Sequence, residues 1–199
     1  MDLRAAAETS ATSGWFEGWI GGLIAAAVTL GFTAWWETRQ HRRRQLDDAV
    51  ATLAAAQSKL WQALLRMAAH GWDTEEAADL VNAVASAQLR AGGLAARRVL
   101  NIRARFVSPS REGLRRTLGA LDDAWSHEFG LRARQLPLKK AASPAAYESN
   151  LHEIMPLASA CQAQIAACNA WLQNPWRYAR GKDLSEWARS DEARTEPLI

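Results

Sequence analysis

The chain is poor in the residues that punctuate, staple or catalyse. Two cysteines in 199 residues exclude a disulfide framework. Six prolines and twelve glycines are too few for a turn-rich all-β fold. Four histidines, His41, His70, His127 and His152, are scattered, and no Gly-rich phosphate loop, nucleophile elbow or His-Glu-x-x-His motif occurs. Neither charge sign dominates, with 24 basic against 21 acidic residues. The chain is thus neither a polyanion-binding tail nor a disordered, self-repelling one. What is abundant is alanine, with ten tryptophans, in a composition that is 49% hydrophobic. That composition fits an all-α protein of one domain with an appendage.

The longest uncharged run is Gly18 to Trp36, nineteen residues. As a helix it spans ~28 Å, close to the ~30 Å hydrocarbon core of a bilayer. Trp15, Phe16 and Trp19 bracket one end and Trp35 and Trp36 the other, as aromatic belts do. Arg39, His41, Arg42, Arg43 and Arg44 follow at once, so the positive-inside rule places the C-terminal side in the cytoplasm. The upstream charges are mainly acidic and the run closes on Trp-Trp-Glu, the features of an anchor and not of a cleaved signal. The expected organisation is a short extracytoplasmic N-terminus over 1–14, a transmembrane helix over 15–36, a cytoplasmic bundle over 37–180, and over 181–199 a short amphipathic turn around Leu184 and Trp187 followed by a loose tail. The expected localisation is the inner membrane, N-terminus outside and C-terminus cytoplasmic.

Within the run, Gly14, Gly18, Gly21, Gly22, Ala25, Thr29 and Thr33 fall in one sector of the helix, opposite Phe16, Trp19, Ile20, Leu23, Ile24 and Leu30. Gly14-xxx-Gly18-xxx-Gly22-xxx-Ala26 is a small-xxx-small ridge that lets two helices approach closely, so self-association through this face is expected.

Beyond the basic cluster, Leu46, Val50, Leu53, Gln57, Leu60, Leu64 and Met67 repeat in steps of four and three. Ala49, Ala54, Ala56, Trp61, Ala63 and Ala68 flank them, a breadth of apolar surface that needs several neighbours, not one zipper partner. His70-Gly71 ends this helix, and Asp73-Thr-Glu-Glu76 opens a second with a capping-box pattern. Gly92-Gly93 should interrupt the second helix. Ser108-Pro109 and Ser143-Pro144 read as cap and first residue of a third and a fourth helix. The fourth carries Tyr147, Leu151, Ile154, Ala158, Cys161, Ile165, Cys168 and Leu172 as its stripe and a kink at Pro156. Together the pattern predicts an antiparallel four-helix bundle behind one transmembrane helix, with Leu53, Leu60, Leu64, Leu80, Val84, Leu118, Leu121, Trp125, Leu151, Ile154 and Ile165 in its core.

In that topology the second helix returns toward the bilayer. Arg42, Arg43, Arg44, Arg97, Arg98, Arg103, Arg105, Arg111, Arg115 and Arg116 then form a basic patch at the membrane surface, suited to an anionic leaflet. Trp171, Trp176, Arg177, Tyr178, Arg180 and Lys182 read as interfacial companions, while Asp73, Glu75, Glu76 and Asp79 gather at the far turn. Basic patches with aromatics also bind nucleic acid, but no nucleic-acid motif accompanies this one. Asp123-xxx-His127 and Glu148-xxx-His152 would stand at similar height on antiparallel helices, where carboxylate-histidine sets can bind metal. Yet Asp123 and His127 turn to water by their phase and the Glu-x-x-His spacing of di-iron bundles is missing, so both pairs read as surface residues. No catalytic residue, cofactor or metal is expected. The sequence reads as a non-enzymatic, homo-oligomeric membrane protein whose bundle binds or regulates a cytoplasmic or membrane protein. The alternative is an oligomeric effector whose small-residue face lines a pore or packs a ring.

Overall fold

A computed structural model describes residues 3–96, 109–132, 138–180 and 184–190, with side chains from residue 21 onward except at 128, 130–132 and 180. Every regular element among them is helical: α1 (Leu3–His70), α2 (Thr74–Ala96), α3 (Pro109–Arg132), α4 (Pro144–Gln173), a 3₁₀ turn (Pro175–Arg180) and α5 (Ser185–Arg189). By its contacts the chain divides into two compact units, Met1–Arg44 and Gln45–Ile199.

In the first unit the helix runs without a break, and every side chain from 21 to 41 is exposed. Among the described residues no helix is long and apolar enough to cross a membrane. The expected transmembrane helix over 15–36 therefore gains no support from the structure. Only residues 21–36 of the run have described side chains, and they reach ~24 Å. Gly21, Gly22, Gly31, Thr29 and Thr33 dilute their apolar content, and Glu37 closes the run.

The second unit holds the core. Leu46, Val50, Leu53, Leu60, Leu64 and Met67 of α1 are all buried, as their spacing predicts, and so is Gln57. Three contacts set α4 antiparallel to this part of α1. Asn150 donates to the Ala68 carbonyl at 2.8 Å, Gln57 donates to Gln164, and the Trp171 indole donates to Asp47 at 3.0 Å. The turn between α1 and α2 is closed by Gly71, whose φ of +100° disfavours any residue with a side chain. Asp73 caps α2 by accepting from the N–H groups of Glu75 and Glu76, both at 3.0 Å. The Glu76 carboxylate does not complete a reciprocal box; it pairs with Arg66 at 2.6 Å. Ser143 caps α4 by accepting from Ala146 N–H at 3.2 Å, with Pro144 first in the helix.

Several expectations need correction. The helix α2 continues through Gly92-Gly93, because Ala91 and Ala95 on either side are buried and hold it in place. The stripe of α4 drifts in phase. Leu172 is exposed and Ile165 half-buried, while Gln164, Ala167 and Trp171 are buried in their place. Leu80 and Leu151 are also only half-buried. The drift follows from what surrounds the helix: α5 covers Ala163 and Ala167 with Ala188, so α4 is packed on two sides. The short turn expected around Leu184 and Trp187 is the helix α5, and the last residues, 191–199, lie outside the described residues. Residues 97–108, with the expected cap Ser108, lie outside the described residues.

Candidate interaction surfaces

Each unit carries one surface of interest. In the first, Leu23, Ile24, Val28, Leu30, Phe32, Trp35 and Trp36 are large, apolar and exposed, Leu30 at 71%. They point around most of the helix circumference. The sector containing Gly22, Ala25, Thr29 and Thr33 is small-sided up to Thr33, with the Phe32 and Trp36 rings closing it at the C-terminal end, and a Cβ built at Gly21, Gly22 or Gly31 meets nothing within 4 Å. Among the described residues nothing therefore requires glycine at these positions.

The threonine hydroxyls do not face outward as free donors. Thr29 donates to the Ala25 carbonyl at 2.8 Å, Thr33 to Thr29 at 2.9 Å and Thr38 to Ala34 at 2.7 Å. Back-bonding of this kind satisfies the hydroxyl within the helix, which reduces its cost in an apolar setting. At the C-terminal end Phe32 lies against Trp35 and Trp36, with ring centroids 5.8 and 6.3 Å apart. The Arg39 guanidinium sits over the Trp35 ring at 5.2 Å. This cation–π contact keeps the charge against an amphipathic ring. Arg42 is half-buried, and Arg43 and Arg44 are exposed.

Of the expected basic patch, the second unit shows the first turns of α3. Glu112 accepts from Arg115 through two hydrogen bonds of 3.0 and 2.7 Å and from Arg116 at 3.1 Å. The Arg115 hydrogen bond, seconded by Arg116, holds the Glu112 carboxyl down at about 2 against an ordinary 4.5. Arg111 is half-buried with a partner of its own. Arg97, Arg98, Arg103 and Arg105 lie outside the described residues, as do the side chains of Gly14 and Gly18 in the small-residue face.

The aromatic companions divide. Trp171 and Tyr178 are core residues, not interfacial ones. The Tyr178 hydroxyl donates to the Ala167 carbonyl at 2.6 Å, and its ring meets Trp171 edge-on at 5.7 Å. Burial pushes its ionisation above the usual tyrosine value. Only Trp176 is exposed, at 75%. Gly113 makes this packing fit: a Cβ there would run into the Tyr178 backbone carbonyl. No sequence signal pairs these two residues, since they are far apart in the chain.

The core itself is partly polar. Gln57 Oε1, Gln164 Nε2, Gln88 Oε1 and Thr117 Oγ1 are buried without a partner among the described residues. Cys161 and Cys168 are buried free thiols whose pKa burial pushes up to about 12. Asp123, His127, Glu148 and His152 are exposed, and among the described residues no group of acidic, histidine or cysteine side chains could hold a metal. A cleft of about 620 Å³ at the α1–α2 turn is lined by Arg66, His70, Trp72, Asp73, Glu76 and Lys140, and its central charges are engaged in the Arg66–Glu76 pair and the Asp73 cap. No family model matches the chain, and neither a curated protein nor a solved structure matches it.

Proposed function

We propose that the chain is a non-enzymatic, single-pass inner-membrane protein, N-terminus outside, whose cytoplasmic helical bundle serves as an interaction or regulatory module. The observation that carries this reading is the exposed apolar girdle from Leu23 to Trp36, closed by aromatic rings and an arginine held against one of them. The described part of the run is short, so the reading needs Gly18, Trp19 and Ile20 to complete the span. Lipid then covers the large side chains, and the glycine-threonine sector faces a second copy of the same helix. Arg42, Arg43 and Arg44 follow at the headgroups, where anionic lipid attracts them. The bundle's cytoplasmic or membrane protein partner is defined only as one that its exposed helical faces can bind.

The reading is non-enzymatic because the clearest charged side chains of the second unit are already engaged: Arg66 with Glu76, Asp73 in a helix cap, and Glu112 with two arginines. The pore or ring reading rests on Thr29 and Thr33 sharing the small face, and ion leakage on expression would favour it over a scaffold. The test is alkaline carbonate extraction of membranes from cells expressing the full chain, alongside a self-association reporter. The protein should stay with the membrane, and Gly18→Ile with Gly22→Ile should weaken association. Release into the supernatant would remove the anchor, and unchanged association would remove the glycine face.

A further inference from the structure

Among the described residues of the second unit, four large apolar side chains are exposed: Leu89, Met155, Leu172 and Trp176. Three of them lie at one end. Gln45, where α1 enters the unit, lines a cleft of about 380 Å³ with Leu89, Arg90, Gly93 and Leu94. Two residues on, Asp47 accepts from the indole of Trp171, which fixes the end of α4 to the same region and brings Leu172 and Trp176 with it. The close approach of Gly113 to Tyr178 then places the first turns of α3 against the 3₁₀ turn.

That end is therefore built from α1, α2, α3 and the 3₁₀ turn together, and its apolar tips stand among cations. Leu89 is 79% exposed and followed by exposed Arg90. Trp176 is 75% exposed, and the Trp176 N–H donates to Asn174 Oδ1 at 3.1 Å, so the turn that projects it is fixed. Arg177 lies over the Trp187 ring at 5.5 Å beside it. On the first turns of α3, Arg115 and Arg116 share the Glu112 carboxylate, and Arg111 beside them has a partner of its own. The opposite end of the unit carries Asp73, Glu75, Glu76 and Asp79.

We infer that this end of the bundle docks on an anionic lipid surface, with Leu89 and Trp176 seated among the headgroups and the arginines facing lipid phosphate. An isolated exposed tryptophan and leucine ringed by arginines suits a bilayer interface, where one edge of the ring is apolar and the other wet. The inference deepens the membrane reading above, but different side chains decide it.

The experiment uses the full chain in bilayer discs of zwitterionic lipid, alone or with about a third anionic lipid. Single nitroxide labels are placed through Trp176→Cys, Leu89→Cys, Met155→Cys and Leu30→Cys, the two native thiols being buried. Accessibility to a water-soluble nickel chelate is then read at each label. The labels at 176 and 89 should be shielded several-fold relative to 155 in anionic discs, less so in zwitterionic discs and at high salt. Labels at 176 and 89 as accessible as 155 in both lipids overturn the inference. So does shielding that ignores lipid charge and grows with protein concentration, which would mark a contact between copies. The label at 30 reports the anchor independently. If it is wet while 176 is shielded, surface docking stands and the spanning helix falls.

Discussion

Replacing Gly113 with alanine probes the close contact between α3 and the 3₁₀ turn. The new Cβ would press on the Tyr178 backbone, 3.0 Å from its carbonyl carbon and 3.1 Å from its Cβ, with the carbonyl oxygen nearer still. Backbone cannot rotate away as a side-chain tip does, so α3 and the 3₁₀ turn must separate. Overpacking of this kind costs about 1–3 kcal/mol. Alanine returns up to ~1 kcal/mol of helix propensity, which would mask part of the loss. Gly119 supplies the control, since it lies in the same helix and a Cβ there meets nothing within 4 Å. Gly119→Ala should therefore stabilise by about 0.5–1 kcal/mol. Subtracting one variant from the other cancels the propensity gain and leaves the clash, about 1–3 kcal/mol. For a unit of this size, each kcal/mol shifts Tm by roughly 2–4 °C. Thermal unfolding of the full chain in one detergent, followed by tryptophan fluorescence, reads the gap. Equal melting of Gly113→Ala and Gly119→Ala would show that α3 does not touch the Tyr178 backbone.

Two further predictions concern the buried core. Gln57→Leu should destabilise by about 1–3 kcal/mol, because it strands the Gln164 amide, whereas Gln57→Leu with Gln164→Leu should be near neutral or stabilising in a denaturant titration; additive losses would mean the two amides do not meet. The thiols of Cys161 and Cys168 sit at about 12 when folded against an ordinary 9.0, so the unfolded state ionises first and stability should fall as pH rises from 9 toward 12. Cys161→Ala with Cys168→Ala should flatten that slope, and an unchanged slope would put its origin elsewhere, with Tyr178 the first suspect.

The local signals were readable in the sequence because they act over one helical turn. The heptad stripe of α1, the serine cap before Pro144 and the aspartate cap before Thr74 all appear where their spacing puts them. Features that depend on contact between distant segments were not readable. Nothing in the spacing of α4 announces that Gln164 turns inward to meet Gln57, or that Asn150 donates to both the Ala68 and Lys139 carbonyls. Gly92-Gly93 reads as a break by propensity, yet the packing of Ala91 and Ala95 outweighs ~1 kcal/mol per glycine. Tryptophan and tyrosine serve a core as readily as an interface. Hence Trp171 and Tyr178 were misplaced, and exposure alone separates Trp176 from them. In the first unit the uncharged run is plain in the sequence, but the small residues that pattern one face also weaken its apolar character.

The central claim is that the apolar girdle crosses a bilayer, which places Ser10 and Ser190 on opposite sides. Ser10→Cys and Ser190→Cys, each made in the full chain, can be treated in intact spheroplasts with a membrane-impermeant maleimide. The account predicts labelling at position 10 in intact spheroplasts and at position 190 only after lysis. Both positions labelled only after lysis, or both labelled before it, would contradict a single span.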